Sequence, residues 1–217
     1  MSLFRLDASI RGEQSVSRQV ADTAEAGWRR VHPDGLIVRR DLARTPVPAD
    51  AWPLAVAGSW TPAEQRSPEQ AAAVALAAEL ADELVAADTY ILATPLYNFG
   101  VSQHVKAWTD LIQTDPRFKA GEPSAIAGRP AVLIVTRGGG YAPGTPREGW
   151  DHATGWYQRI FGDVMGLDLH VSEVELTLAD ISPAMESLRP LAAELLQAGH
   201  ESADKHGQLV GELATAS

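Results

Sequence analysis

Short apolar segments alternate with longer amphipathic or alanine-rich segments along most of the chain. The apolar segments, which have the length and character of β-strands, cover residues 3–8, 36–42, 89–94, 129–136 and 167–178. The segments between them carry apolar residues at helical spacing, as in residues 18–31, or consist almost entirely of helix-forming residues, as in residues 68–87. The pattern therefore predicts strands and helices in alternation.

The other predicted helices cover residues 102–113, 150–166 and 182–207. In the last of them, Ser182 is expected to cap the helix before Pro183, and Pro190 predicts a kink. Residues 43–68 contain several prolines and have weak periodicity, so we expect a long connecting loop with a short helix there.

Strands that alternate with helices imply a parallel sheet with right-handed crossovers and helices on both faces. The five predicted strands fit a flavodoxin-like three-layer α/β/α architecture, with a five-stranded parallel sheet in the order 2-1-3-4-5. We expect residues 1–217 to form one such domain. In these sheets, ligands bind at the carboxyl ends of the strands, near the point where the strand order reverses. The loops after the first, third and fourth strands should therefore meet.

The amino-acid composition disfavours several kinds of binding partner. The 217 residues carry a formal net charge of -10, include 45% hydrophobic residues and contain no cysteine. An acidic chain without a cluster of Lys or Arg disfavours nucleic acid and anionic membrane surfaces as partners. The absence of cysteine excludes zinc–thiolate sites, and the histidines lack metal-ligand spacing, so no metal is expected. No signal peptide or membrane-spanning segment is predicted, which makes a cytoplasmic protein the expectation.

The loop after the first strand contains three serines and leads into a predicted helix. Ser9, Ser15 and Ser17 could bind one phosphate together with the free N–H groups of that helix. Alternatively, Ser15 or Ser17 acts only as a helix cap. The loop lacks the G-x-G-x-x-G and G-K-[ST] patterns, so a single phosphate fits it better than a pyrophosphate.

The two other loops have unusual compositions. After the third strand, Pro95 is followed by Tyr97, Asn98 and Phe99, whose aromatic rings could cover a planar ligand. After the fourth strand, glycines at 138–140 allow the backbone to approach a flat ligand closely, although a flexible surface loop is the alternative. A phosphate site, an aromatic surface and an amide-rich edge together match FMN.

These residues resemble those of an FMN-dependent NADH-azoreductase of the flavodoxin-like NAD(P)H:quinone reductase family. The three serines resemble its phosphate loop, and Pro95-Leu96-Tyr97-Asn98-Phe99 resembles its P-M-Y-N-F motif. Residues 103–110 resemble the helix that follows, with its L-K-x-x-x-D pattern, and Thr136-Arg137-Gly138-Gly139 resembles the family's S-R-G-G loop. Leu96 replaces the usual methionine, which is a volume-conserving change.

The resemblance implies that the chain binds FMN through these three loops. The implied cofactor-binding residues are Ser9, Arg11, Ser15, Val16, Ser17, Pro95, Leu96, Tyr97, Asn98, Phe99, Thr136, Arg137, Gly138, Gly139 and Tyr141. The backbone of residues 95–99 would lie along the flavin, and Tyr141 would lie near its pyrimidine rim.

The resemblance further implies a ping-pong reaction. In it, NAD(P)H reduces the flavin and leaves before a quinone or an azo compound is reduced. No basic cluster for a 2′-phosphate is evident, which favours NADH over NADPH. No side chain is assigned as a catalytic acid or base. The alternatives are the same scaffold specialised for a particular metabolite, and a non-catalytic flavin electron carrier.

The resemblance also implies a homodimer with active sites at the subunit interface. Phe118 and Phe161 are candidates to reach the partner's site, and core packing is the alternative for both. Trp60 lies in the connecting segment that the resemblance does not match, and it is a candidate either to cover the substrate pocket or to pack locally. The tryptophans at 52, 60, 150 and 156 suit an interface or an aromatic-lined pocket.

Overall fold

The structure, a computed structural model, describes residues 1–119 and 121–216, and within them one sheet of six strands. The strands are β1 (Ser2–Asp7), β2 (Leu36–Asp41), β3 (Thr89–Tyr97), β4 (Gly100–Val101), β5 (Pro130–Thr136) and β6 (Asp168–Val174). The order β2-β1-β3-β5-β6 is parallel throughout, and β4 pairs antiparallel with the end of β3. The flavodoxin-like order predicted for the parallel strands is confirmed.

Helices cover both faces of this sheet. They are α1 (Val16–Val31), α2 (Ala51–Ser59), α3 (Pro68–Val85), α4 (Gln103–Ile112), α5 (Thr154–Tyr157, continued by a π-helical segment, Gln158–Val164) and α6 (Arg189–Ala216). One buried apolar cluster lies between the sheet and α1 with α6, and the other lies between the sheet and α2 to α5. None of these helices, all within the described residues, combines the length and the hydropathy that crossing a bilayer requires.

Several element boundaries differ from the prediction. The helix predicted for residues 150–166 begins at Thr154, because the Asp151 carboxylate accepts the N–H groups of residues 153 and 154 at 2.9 Å. In the segment 43–68, by contrast, the expected loop with one short helix is confirmed, and the helix is α2. Pro190 lies in the first turn of α6 and causes no internal kink, since a proline there removes no helical hydrogen bond. The Ser182 hydroxyl makes no capping bond and precedes a 3₁₀ segment, Pro183–Leu188.

A buried ion-pair network fixes α1 against β1. The Arg5 guanidinium donates to Asp7 of the same strand at 3.1 Å and, in α1, to Asp22 at 2.6 Å and Glu25 at 3.0 Å. Burial raises the pKa of the Asp7 carboxyl against the opposing effect of the Arg5 charge. The pair therefore depends on both partners, because removing one would leave a buried charge.

Two glycines allow α1 and α6 to pack closely. A Cβ added at Gly27 would overlap the carbonyl of Asp204, and one added at Gly207 would overlap the backbone of Ala24. In both cases the obstacle is backbone of the other helix, which cannot move away as a side chain can. The contact therefore requires glycine at both positions.

We expect Gly207→Ala to destabilise the protein. Alanine would favour the helix by about 1 kcal/mol, but overlap with the α1 backbone should outweigh this and leave a net loss of roughly 1–3 kcal/mol. The free energy of unfolding is measured by urea denaturation. The matched control is Gly155→Ala, since a Cβ there meets no atom within 4 Å, and it should cause no loss. Wild-type stability in Gly207→Ala would contradict the close packing of α1 on α6.

Candidate active site

The loop after β1 brings three buried hydroxyl groups to the start of α1. Ser15 caps α1, which was one of the two roles that the sequence predicted for it. Its Oγ accepts the Arg18 N–H at 3.3 Å. The Ser15 hydroxyl also lies 2.9 Å from that of Ser17, and Ser9 is buried beside them in the same loop. The first N–H groups of an α-helix have no carbonyl partner within it. Of these, the N–H groups of Val16 and Ser17 have no acceptor in the described part of the chain and are available to an anion.

The second loop is a tight β-hairpin. Strand β3 does not end before Pro95 but continues to Tyr97, which pairs with Gly100 and leaves Asn98 and Phe99 as a two-residue turn. Both turn residues have positive φ, 49° and 67°, as a type I′ turn requires. Asparagine tolerates this conformation, whereas a bulky aromatic residue is strained in it. Such strain is typical of functional sites.

Two tyrosine hydroxyls hold the hairpin in place. The Tyr97 oxygen accepts the Ile10 N–H at 3.1 Å and lies 3.2 Å from the Ser9 hydroxyl, which joins the hairpin to the serine loop. Tyr157 is buried in α5 and donates to the Pro95 carbonyl at 3.1 Å, while it accepts the backbone N–H that precedes α4 at 3.3 Å. Burial raises the pKa of Tyr157, so its hydroxyl keeps the proton that it donates.

The third loop leaves β5 and runs beside the segment that follows β6. The carbonyls of Arg137, Gly138 and Gly139 accept the N–H groups of residues 177, 178 and 176 at 3.1–3.2 Å. Strand β6 was predicted to reach residue 178, but it ends at Val174, and Leu176 has a left-handed φ of 58°. Within residues 1–119 and 121–216, no acceptor binds the N–H groups of Gly138 and Gly139. These two donors are therefore available to a ligand.

The Arg137 guanidinium is buried among carboxylates behind this loop. It lies 2.6 Å from Asp151, 3.0 Å from Glu173 and 3.2 Å from Glu175, and it lines a separate cavity with them. Burial alone would lower the pKa of Arg137, but its hydrogen bond to Glu173 and the charges of Glu173 and Asp151 outweigh burial and raise it. Arg137 thus supports the loop, and its part in cofactor binding stays a prediction.

The three loops meet in one cleft at the carboxyl ends of β1, β3 and β5. The lining residues are Ser9, Arg11, Ser15, Val16, Pro95, Leu96, Tyr97, Thr136, Gly138, Thr177 and Leu178. All except Thr177 and Leu178 belong to the predicted cofactor-binding set. The other members of that set, Ser17, Asn98, Phe99, Arg137, Gly139 and Tyr141, lie in the same loops but outside this lining.

Three aromatic rings surround the hairpin tip. The partly exposed ring of Phe99 makes edge contacts with Trp150 and Tyr141, at centroid distances of 5.3 and 6.4 Å. The His152 N–H donates to the Phe99 carbonyl at 2.9 Å, which ties the tip to the segment after the third loop. Burial raises the pKa of Tyr141. The three rings form an apolar surface next to the cleft, which we call the aromatic rim.

The predicted substrate-pocket residues lie elsewhere. Phe118 and Phe161 are buried in the core, the alternative that the sequence left open for both. Trp60 is 86% exposed and lines a cavity with Trp52 and with residues at the C-terminal end of α4. Because α4 begins beside the hairpin, this cavity lies at the opposite end of α4 from the hairpin and shares no lining residue with the cleft.

Sequence reasoning missed Tyr157, Thr177 and Leu178. Tyr157 bonds to backbone groups distant in sequence, and its position within an apolar helix pattern gives no sign of this. Thr177, whose hydroxyl donates to the Arg137 carbonyl at 3.1 Å, was assigned to the interior of the last strand. If the last strand had been predicted to end earlier, Thr177 and Leu178 would have been placed at the carboxyl edge of the sheet, where ligands bind.

Comparisons with known proteins define the class of this chain. A family model described as "Flavodoxin-like fold" matches residues 1–198. An FMN-dependent NADH:quinone oxidoreductase of Parafrankia sp. (strain EAN1pec) is 40% identical over 186 residues, which cover 84% of this chain and 87% of that protein. A protein of the same name from Streptomyces coelicolor (strain ATCC BAA-471 / A3(2) / M145) is 38% identical over 219 residues, with coverages of 99% and 97%.

Solved structures support the same fold. An azoreductase from Bacillus anthracis str. Sterne superposes with a TM-score of 0.78 at 22% identity, over 96% of this chain and 99% of that chain. The complex of an FMN-dependent NADH-azoreductase from Bacillus anthracis str. Ames Ancestor with FMN gives a TM-score of 0.73 at 18% identity, over 97% and 98%. The chain therefore belongs to the flavodoxin-like fold family, among the relatives of FMN-dependent NADH:quinone oxidoreductases, as its motifs implied.

The hydroxyl of Tyr157 should contribute measurably to stability. Tyr157→Phe keeps the ring but leaves the Pro95 carbonyl and a buried N–H without their partner, so we expect a loss of about 1–3 kcal/mol in urea unfolding. Tyr141→Phe is the matched control, because no group in the described part of the chain bonds to the Tyr141 hydroxyl. Equal losses in the two variants would show that the hydroxyl of Tyr157 does not brace the hairpin.

Proposed function

We propose that this protein is an FMN-dependent NADH:quinone oxidoreductase that also reduces azo compounds. The observation that carries the proposal is the cleft in which the serine loop, the hairpin and the glycine loop meet. The names of relatives at 38–40% identity supply the same activity, and structural neighbours include azoreductases. We further propose that residues 1–217 act as one such domain.

The residues of the cleft fit FMN. Its phosphate suits the serine loop, which offers the buried hydroxyls, the free N–H groups of α1 and the Arg11 guanidinium. The side chains of Pro95, Leu96 and Leu178 give the apolar contact that a planar ring system needs. The free N–H groups of Gly138 and Gly139 suit the polar edge of the ring.

The protein orients the reactants, and the cofactor supplies the chemistry. When bound, FMN accepts a hydride from NADH and passes two electrons to the acceptor. Overall, NADH, a proton and a quinone yield NAD⁺ and a hydroquinone, and two such cycles convert an azo bond into two amines. Among the described residues that line the cleft, none carries a carboxyl or imidazole group. The chain therefore contributes preorganised hydrogen-bond donors, which stabilise developing negative charge.

The proposed cellular location of the enzyme follows from its use of NADH as the electron donor. Pyridine nucleotides are cytoplasmic co-substrates, so we place the enzyme in the cytoplasm. One cleft that serves donor and acceptor in turn gives ping-pong kinetics.

The purified protein should be yellow and should bleach on anaerobic addition of NADH. Its absorbance should recover when a quinone is added, because the acceptor takes the two electrons. Ser59→Ala, in the exposed end of α2, should match the wild type, whereas Ser17→Ala should bind FMN more weakly by about fivefold, the scale of one hydrogen bond.

Other outcomes would contradict the proposal in different ways. A yellow protein that NADH does not bleach would indicate an electron carrier or another donor. A colourless protein that FMN fails to reconstitute would refute the assignment of all three loops.

We propose a homodimer that forms through α2. Trp52 and Val56 in α2 and Trp60 directly after it follow one another at four-residue spacing. They are 49%, 36% and 86% exposed and form an apolar stripe along α2 and its C-terminal end. An exposed stripe of this kind is typical of a protein–protein contact.

A charge in the stripe should dissociate the dimer. We expect Val56→Asp to sediment as a monomer at concentrations where the wild type is dimeric, because an unpaired carboxylate would be buried at the contact. Ile181→Asp is the control, since Ile181 is 63% exposed but lies after β6. Dissociation by Ile181→Asp alone would assign the contact to another face.

A further inference from the structure

Nearly every arginine side chain of the described residues is bound to an oxygen atom. Carboxylate or carbonyl oxygens contact the guanidinium groups of Arg5, Arg18, Arg29, Arg30, Arg39, Arg40, Arg44, Arg66, Arg117, Arg129, Arg137, Arg159 and Arg189. Within the described ranges, only Arg11 and Arg147 lack such a contact. Arg11 belongs to the proposed phosphate site. Arg147 is thus a free cation without an assigned role, in a chain of net charge -10.

Arg147 lies between the glycine loop and the aromatic rim. One of its guanidinium nitrogens occupies the space into which a Cβ at Gly139 would project. Its guanidinium carbon lies 6.0 Å from the centroid of the Phe99 ring. Phe99 in turn contacts the rings of Tyr141 and Trp150. A positive charge and an exposed aromatic surface therefore adjoin each other beside the hairpin and the glycine loop, both of which contribute residues to the cleft. Arg147 itself lines a neighbouring apolar cavity with Gly139 and Leu176.

The carboxylates of this region are bound to other groups. Glu175 accepts from Arg137 and from the Tyr141 N–H, and Asp151 also binds Arg137. Glu148, the neighbour of Arg147 in sequence, accepts the Gly144 N–H at 2.8 Å. Among the described residues, the guanidinium donors of Arg147 consequently have no acceptor. A guanidinium fork binds the paired oxygens of a carboxylate or a similar oxyanion, while aromatic rings bind planar ring systems.

We propose that Arg147 determines acceptor specificity by binding an anionic group on an aromatic acceptor. The acceptor class is that of carboxylated or sulfonated quinones and azo compounds, with their rings against Phe99 and Trp150. This inference rests on the proposed function and adds the acceptor class to it. The donor substrate also carries an anionic group, the pyrophosphate of NADH, which Arg147 could bind instead. In ping-pong kinetics, the KM values of donor and acceptor are measured separately, which distinguishes the two.

The test compares the FMN-loaded wild type with Arg147→Gln and Arg147→Lys. The acceptors are anthraquinone-2-sulfonate and the uncharged 2-methyl-1,4-naphthoquinone. For Arg147→Gln, we expect the KM of the sulfonate to rise roughly tenfold, the effect of one lost hydrogen bond between charged groups. The KM values of the uncharged quinone and of NADH should stay within about twofold of the wild-type values. In this proposal, neither molecule is bound by the charge of Arg147. Arg147→Lys should recover part of the sulfonate binding.

Arg30→Gln removes the same charge elsewhere and serves as the control. Arg30 binds Asp204 at 2.7 Å near the C-terminal end of α1, so this variant should match the wild type with both quinones. Equal changes for both quinones, or no change for either, would overturn the proposal. A rise in the KM of NADH alone would overturn it too and would assign Arg147 to the dinucleotide. A wild-type protein that reduces neither quinone would refute the proposed function itself.

Discussion

Parallel pairing of β1, β3 and β5 is the constraint on which the site depends. Asp7 lies opposite Ala93, and Pro95 lies opposite Thr136, so the three strands end at one edge of the sheet. Strand pairing alone therefore brings together three loops that are far apart in sequence, independently of the contacts between the loops. A shift of one residue in the register would send each side chain to the opposite face, and the two buried apolar clusters prevent it.

The loops are held by contacts with one another as well as by the strands. The Tyr97 hydroxyl joins the hairpin to the serine loop, and the His152 N–H joins its tip to the segment after the glycine loop. The segment 176–178 occupies the glycine-loop carbonyls and leaves amides for a ligand. A site ordered in this way loses little conformational entropy when it binds, which favours affinity.

The sequence predicts those features that depend on local pattern. Apolar segments mark the parallel strands, and the serine, Y-N-F and R-G-G motifs mark the three loops, because each is a short stretch with its own composition. The Arg137 cluster was not predictable in this way. It combines residues that lie just after β5, shortly before α5 and at or just after the end of β6, and only the folded sheet brings them together. The role of the Tyr157 hydroxyl likewise depends on backbone partners that are distant in sequence.

The segment 142–150 is attached to the rest of the chain at two fixed points. Before it, the Tyr141 N–H is bound to Glu175, and after it, Asp151 is bound to Arg137 and to the start of α5. Most of the segment between them is exposed, and it carries Arg147 and Trp150. Evolution or protein design can therefore replace this segment with one of different length or charge, while the contacts of Tyr141 and Asp151 at its two ends are kept. Acceptor preference would then diversify independently of the machinery that holds the flavin.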